Sequence, residues 1–212
     1  MRTEELVSLL AAGGGAVERK SPALRIGIAV GAGLIGAALL MVVLLGVRAD
    51  LRDAAGYPMF WIKLVFAALL ALASVLATLR LSRPGVKVGL RTGLAAPLLA
   101  VWALAAFVLI DAEPASRGGL LFGHTWKTCP LIIALLSIPV FIAMLWAMRG
   151  LAPTRLRLAG AAVGLASGTL AALVYTLHCP ESTPPFLAVW YVMGMLIPTA
   201  VGALIGRRVL LW

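Results

Sequence analysis

The chain has 212 residues, 62% of them hydrophobic, with a mean hydropathy of +1.05 and a formal net charge of +10. Soluble globular chains run at about half apolar, so this composition excludes a soluble domain. It also argues against a nucleic-acid-binding module, because no soluble surface exists to present the charge.

The chain opens with "MRTEELVSLLAAGGGAVERKSP". Thr3 suits the cap of a short helix, with Glu4 and Glu5 in its favoured first turn. Leu6, Leu9 and Leu10 then fall on one helical face. Such a helix is too short to be stable alone, and Gly13, Gly14 and Gly15 follow as a hinge. This design suits a segment that folds on binding and lays its Leu side chains into a groove. The alternatives are a frayed end or a helix on the lipid surface. Surface helices favour Lys and Arg on the polar face, whereas Glu4 and Glu5 favour a partner of basic character. Residues 1–24 are too polar for the apolar core of a cleavable signal, so the first apolar run is expected to stay in the membrane.

Six apolar runs follow, at roughly 25–47, 58–79, 92–110, 128–148, 158–177 and 186–206. Each is long enough to cross about 30 Å of hydrocarbon as a helix. They are continuous and rich in Leu and Ala, unlike the alternating segments of a membrane β-barrel. The expected fold is all-α, a six-helix transmembrane bundle over 25–206, between a segment 1–24 and a basic tail 207–212. The first run carries small residues at Gly27 and Gly31 and at Gly33 and Ala37. Lys63, one turn from an end of the second run, is expected to snorkel outward. Pro97, Pro139 and Pro198 fall inside runs, where each removes a backbone donor. Gly160, Gly164, Gly168 and Ala172 give the fifth run one smooth face, and Gly202 and Gly206 mark the sixth. Such faces admit close helix packing, either within the bundle or between two copies in a homodimer.

Lys and Arg counts in short loops set the orientation. Thirteen of the eighteen basic residues fall with the two termini and the second and fourth loops, and five, including Lys63 and Arg48, on the other side. Both termini are therefore expected in the cytoplasm. No Asp, Glu or His lies mid-run, which counts against a pump, a channel or a membrane hydrolase. No CxxC pair is present for a thiol oxidase.

The two cysteines and two histidines fall in "GHTWKTCPL" and "TLHCPESTPP", both on the far side from the termini. Cys129-Pro130 reads as a helix start, where the positive helix end favours a thiolate. Cys179-Pro180 reads as a helix exit. His124 and His178 are placed to support a thiolate further. Three readings stay open: a structural disulfide, a reversible thiol sensor, and a soft-metal contact at Cys129 and Cys179. No resting metal and no cofactor are expected.

The start "MRTEELVSLLA", the six runs, Trp126 with "TCP", "HCPE" after the fifth run and the closing "GRRVLLW" together resemble the NrsF-type anti-sigma factors. These are six-span inner-membrane regulators of extracytoplasmic-function sigma factors in bacteria. The resemblance covers essentially the whole chain. It implies a sigma factor as protein partner, held at the membrane through Thr3, Glu4, Leu6, Leu9 and Leu10. It implies that Cys129 and Cys179 sense oxidative or heavy-metal stress on the periplasmic side and that the chain is not an enzyme. Release is expected through a two-state bundle, in which a change at the cysteine pair shifts the ends of the fourth and fifth helices, with proteolysis as the rival route. The short N-terminal segment lacks the His and Cys ligands of the zinc-binding anti-sigma class. The alternative is a small inner-membrane transporter or redox protein that uses the outer Cys/His cluster.

Overall fold

The computed structural model describes residues 3–12, 21–83, 91–151 and 153–211. All regular structure among them is helical. α1 (Thr3–Ala12) precedes α2 (Pro22–Leu44), a short α3 (Leu51–Ala54), α4 (Pro58–Leu81) and α5 (Arg91–Asp111). Next come α6 (Pro114–Phe122), α7 (Cys129–Arg149) and α8 (Leu156–Tyr175). A last run joins α9 (Pro184–Phe186), a π-helical turn (Leu187–Tyr191) and α10 (Val192–Val209). Helices α2, α4, α5, α7, α8 and the composite run Pro184–Val209 are long and apolar enough to cross a membrane. The expected all-α architecture with six spans is the one observed.

Proline sets several starts. Pro22, Pro58, Pro114, Pro130 and Pro184 all lie in the first turn of their helices. There the missing N–H has no intrahelical partner to lose, and the fixed φ is already helical. This is why α2 begins at Pro22, ahead of the apolar run. Helix α6 was not expected: Pro114 starts it inside a stretch that reads as a loop, and Phe122 ends it.

Helix α8 is the axis of the bundle. Most of its residues are buried, and it packs against α10, α4 and α7. Helix α2 packs on α7, and α5 lies outside, against α4 and α9. Lipid is as apolar as a Leu side chain, so close van der Waals packing has to hold such helices together. Here small residues allow backbone contact. A Cβ on Gly160 would strike the carbonyl of Gly202, and one on Gly164 would strike the carbonyl of Pro198 and lie 2.7 Å from Thr199 Cα. A Cβ on Gly168 would lie 2.8 Å from the carbonyl oxygen of Met195. The face of Gly160, Gly164 and Gly168 is thus filled from within the chain, and a second copy cannot use it while the bundle is intact.

The first span uses one of its two expected small-residue pairs. Gly27 and Gly31 have nothing within 4 Å of an added Cβ. Gly33 and Ala37 are buried, and Gly33 packs against Val140, whose Cα would lie 2.7 Å from an added Cβ, joined by Gly36 against Pro139 Cβ at 2.9 Å. A polar tie crosses the apolar core where Ser74 Oγ on α4 and Thr169 Oγ1 on α8 lie 2.9 Å apart, both buried. Such interhelical hydrogen bonds contribute about 0.6 kcal/mol each.

Chain parity sorts the connections to two ends. Residues 45–57, 112–128 and 176–183 gather at one end; the ends of α4, α7 and α10 and the starts of α2, α5 and α8 lie at the other.

Candidate functional site

The first of these ends carries both cysteines. Cys129 opens α7, and its N–H donates to the carbonyl of Thr125 at 2.8 Å. Cys179 follows the exit from α8, and its N–H donates to the carbonyl of Tyr175 at 3.0 Å. Both thiols are free and fully buried, and the two side chains interact directly. Helix α7 thus delivers one sulfur and the turn after α8 the other.

The histidines sit at this end in other roles. The imidazole Nδ1 of His178 pairs with the carbonyl oxygen of Gly46 at 2.9 Å, and its ring stacks on Tyr175 at 5.7 Å. His124 is exposed, and its main-chain N–H donates to the carboxylate of Glu181 at 2.7 Å. Among the described residues no three His, Cys, Asp or Glu side chains gather as a metal cluster.

The cation beside the sulfurs is Lys63, which sequence reasoning missed. It does not snorkel outward. Its side chain is 1% exposed, and its ammonium donates to the carbonyls of Cys179 (3.0 Å) and Glu181 (2.7 Å). It also lies over the ring of Tyr191, 4.7 Å from the centroid. The Tyr191 hydroxyl is buried and has no hydrogen-bond partner. The Cys179 thiol is held below its ordinary range, first by the hydrogen bond from Cys129 and then by the Lys63 charge, against the effect of burial. Depth gave no signal, because a lysine five residues past the start of α4 is within snorkelling reach of the interface.

The segment Cys179-Pro180-Glu181 is clamped from all sides. Arg48 donates to the Cys179 carbonyl at 3.4 Å while its guanidinium pairs with Asp50 at 2.6 Å. Gly123 has φ +53°, which favours glycine, and a Cβ there would lie 2.6 Å from the Glu181 carboxylate and push that side chain aside. Just beyond, Thr183 Oγ1 and Trp190 Nε1 donate to the carbonyls of Leu120 and Leu121 at 2.9 Å each. Phe122, Trp126 and Trp190 form one aromatic cluster over them. Helix α6 is therefore a cover for the first turns of the last span.

The other predicted residues lie at the opposite end of the chain's path. Thr3 is the first helical residue of α1, and Glu4 and Glu5 fill its first turn. Leu6 and Leu9 are 42% and 64% exposed, with Val7 beside them at 60%. The side chain of Leu10, like the glycine hinge at 13–15, lies outside the described residues. At the start of α2, Arg25 sits 5.2 Å over the ring of Trp146 and donates to its carbonyl at 3.4 Å.

Residues 10–212 match the sequence family described as "Negative regulator of sigma F". Over 213 aligned positions, covering both chains in full, the protein is 56% identical to a "Probable anti-sigma-F factor NrsF" of Azospira oryzae. Over 214 positions, again covering both in full, it is 40% identical to the "Anti-sigma-F factor NrsF" of Caulobacter vibrioides. No solved structure matches it.

Proposed function

The chain belongs to the NrsF family of negative regulators of sigma F, and from that membership we propose how it regulates: it holds an extracytoplasmic-function sigma factor at the inner membrane through α1 and lets it go when Cys129 and Cys179 react. It is a regulatory membrane protein and not an enzyme. Both termini lie in the cytoplasm in this reading, supported by the excess of Lys and Arg at that end. The cysteines then face the periplasm, where oxidants and soft metals arrive first.

The observation that carries the reading is the separation of two features by one bundle. A short helix with exposed Leu6, Val7 and Leu9 and an acidic first turn leads into α2 at one end. Two free, mutually interacting thiols lie at the other. The acidic turn suits a partner that itself binds nucleic acid and carries basic surface. The alignments with both relatives extend over α1, although the family match begins at residue 10. A transporter reading has only Lys63 as a buried charge among the described residues, and that side chain is committed to two carbonyls.

Co-purification tests this. Full-length protein extracted under reducing conditions is expected to capture its sigma factor, and protein lacking residues 1–20 to lose it. Burying one Leu contributes about 1.5–3 kcal/mol, so Leu6→Asp with Leu9→Asp is expected to weaken capture by about a hundredfold or more. Undiminished capture without residues 1–20 would remove α1 as the contact. No capture by the full-length chain, reduced or oxidised, would remove the sigma-holding role.

A further inference from the structure

Lys63 is a buried cation that no carboxylate answers. The one ion pair among the described residues joins Arg48 to Asp50, and the Glu181 carboxylate is taken by the main chain of His124. Two carbonyls and an aromatic face surround the ammonium. These dipoles do not neutralise it, and an unpaired ion in such a setting costs several kcal/mol. The groups near it that can become anions are the thiols of Cys179 and Cys129. Around the Cys179 sulfur stand Cys129 from α7, Lys63 from α4, Tyr175 from α8 and Tyr191 from the π-helical turn, with Arg48 and Glu181 from the adjoining loops. Arg48 and Lys63 both donate to the Cys179 carbonyl, and of the two Lys63 is the one that is buried and has no carboxylate partner among the described residues.

We propose that Lys63 is the counter-ion of a Cys179 thiolate and the proton donor for its oxidation, which makes Cys179 the attacking sulfur and Cys129 the resolving one. This deepens the sensor reading and rests on it. With hydrogen peroxide as oxidant, the Cys179 thiolate attacks one peroxide oxygen. An S–O bond forms, the O–O bond breaks, and hydroxide leaves. Lys63 gives that hydroxide a proton and becomes a neutral amine. The Cys129 sulfur then displaces the second oxygen from Cys179 as water, which takes up the Cys129 proton. The two sulfurs lose two electrons and the peroxide gains them, yielding one disulfide and two waters. The buried pair of charges disappears in the same event. A neutral amine binds carbonyls less strongly than an ammonium, so the tie from α4 to Cys179 and Glu181 slackens once the disulfide forms.

The test is trapping of the first oxidation product in purified full-length protein. Hydrogen peroxide is added with a dione that captures sulfenic acid, and mass spectrometry reads which cysteine carries the adduct. The adduct is expected on Cys179, its rate falling at least about tenfold at neutral pH in Lys63→Met and recovering only in part in Lys63→Arg, which keeps the positive charge but cannot give up a proton. In the parent protein the rate is expected to rise with pH through a midpoint below the ordinary thiol value of about 8.5. This last measurement needs no variant and so stands even if Lys63→Met fails to fold. An adduct on Cys129, an unchanged rate in folded Lys63→Met, or a midpoint at or above the ordinary value would each overturn the assignment. None of these readouts involves the sigma factor. If Cys179 reacts as described while sigma capture ignores the oxidation, the sensor reading fails and the role of Lys63 in thiol chemistry stands.

Discussion

Gly164→Leu is expected to abolish the folded bundle. A Cβ at this position would overlap the Pro198 carbonyl and lie 2.7 Å from both the Pro198 carbonyl carbon and Thr199 Cα. These are backbone atoms of a second helix and cannot move aside as a side-chain tip can. Overpacking of a core costs about 1–3 kcal/mol when neighbours repack. Here the helices themselves must separate along a seam that runs from Gly160 and Gly164 to Gly202 and Gly206. The cost is therefore expected at about 3 kcal/mol or more, a large share of the stability of an ordinary domain. The readouts are the yield of monodisperse protein after detergent extraction and its melting temperature. Gly31→Leu is the matched comparison, since an added Cβ there meets nothing within 4 Å, and it is expected to behave as the parent. Equal melting temperatures for the two variants would show that the α8–α10 seam does not hold the bundle.

Cys129→Ser combined with Cys179→Ser is expected to leave the regulator permanently in its holding state. Serine is close to cysteine in shape, slightly smaller, and leaves the main-chain carbonyl that Lys63 binds at residue 179 in place. It cannot form a disulfide or bind a soft metal. Sigma-dependent transcription under oxidant or heavy metal is expected to fall to its unstressed level, read with a reporter gene while immunoblotting confirms equal membrane abundance. Each single variant is expected to lose the response to oxidant as well, since a disulfide needs both sulfurs. Induction that survives in the double variant would assign sensing to some other part of the chain or to proteolysis.

The spans were legible because the bilayer imposes one dominant pattern, about 20 apolar residues per crossing. Parity then sends Cys129 and Cys179 to the same end once six crossings are counted. What the sequence hid depended on direction rather than composition. Lys63 reads as a snorkelling residue by depth alone, and only the placement of Tyr191 and of the Cys179 and Glu181 carbonyls turns it inward. Gly27 and Gly31 look as suitable for packing as Gly33 and Gly36, but their side of α2 meets nothing within the chain, while the latter pair meets Val140 and Pro139. Helix α6 was masked by its glycines at 118 and 119, which lower helix propensity, and it is stabilised through its contacts with Thr183 and Trp190.

The π-helical turn at Leu187–Tyr191 left no mark in composition, yet it divides the last span into two angular phases. Phe186 and Tyr191, five residues apart, are both fully buried, as the wider turn allows. Below it Tyr191, Met195, Pro198, Gly202 and Gly206 keep ordinary helical spacing along the seam with α8. The turn thus amounts to one residue inserted into a continuous helix, and an α-helix advances about 100° per residue. Losing a single codon between 187 and 191 would leave the glycine seam and the span's length nearly intact while swinging everything before it by that angle. Lineages that gain or lose that residue would inherit the same membrane anchor with a differently aimed rim around the sulfurs.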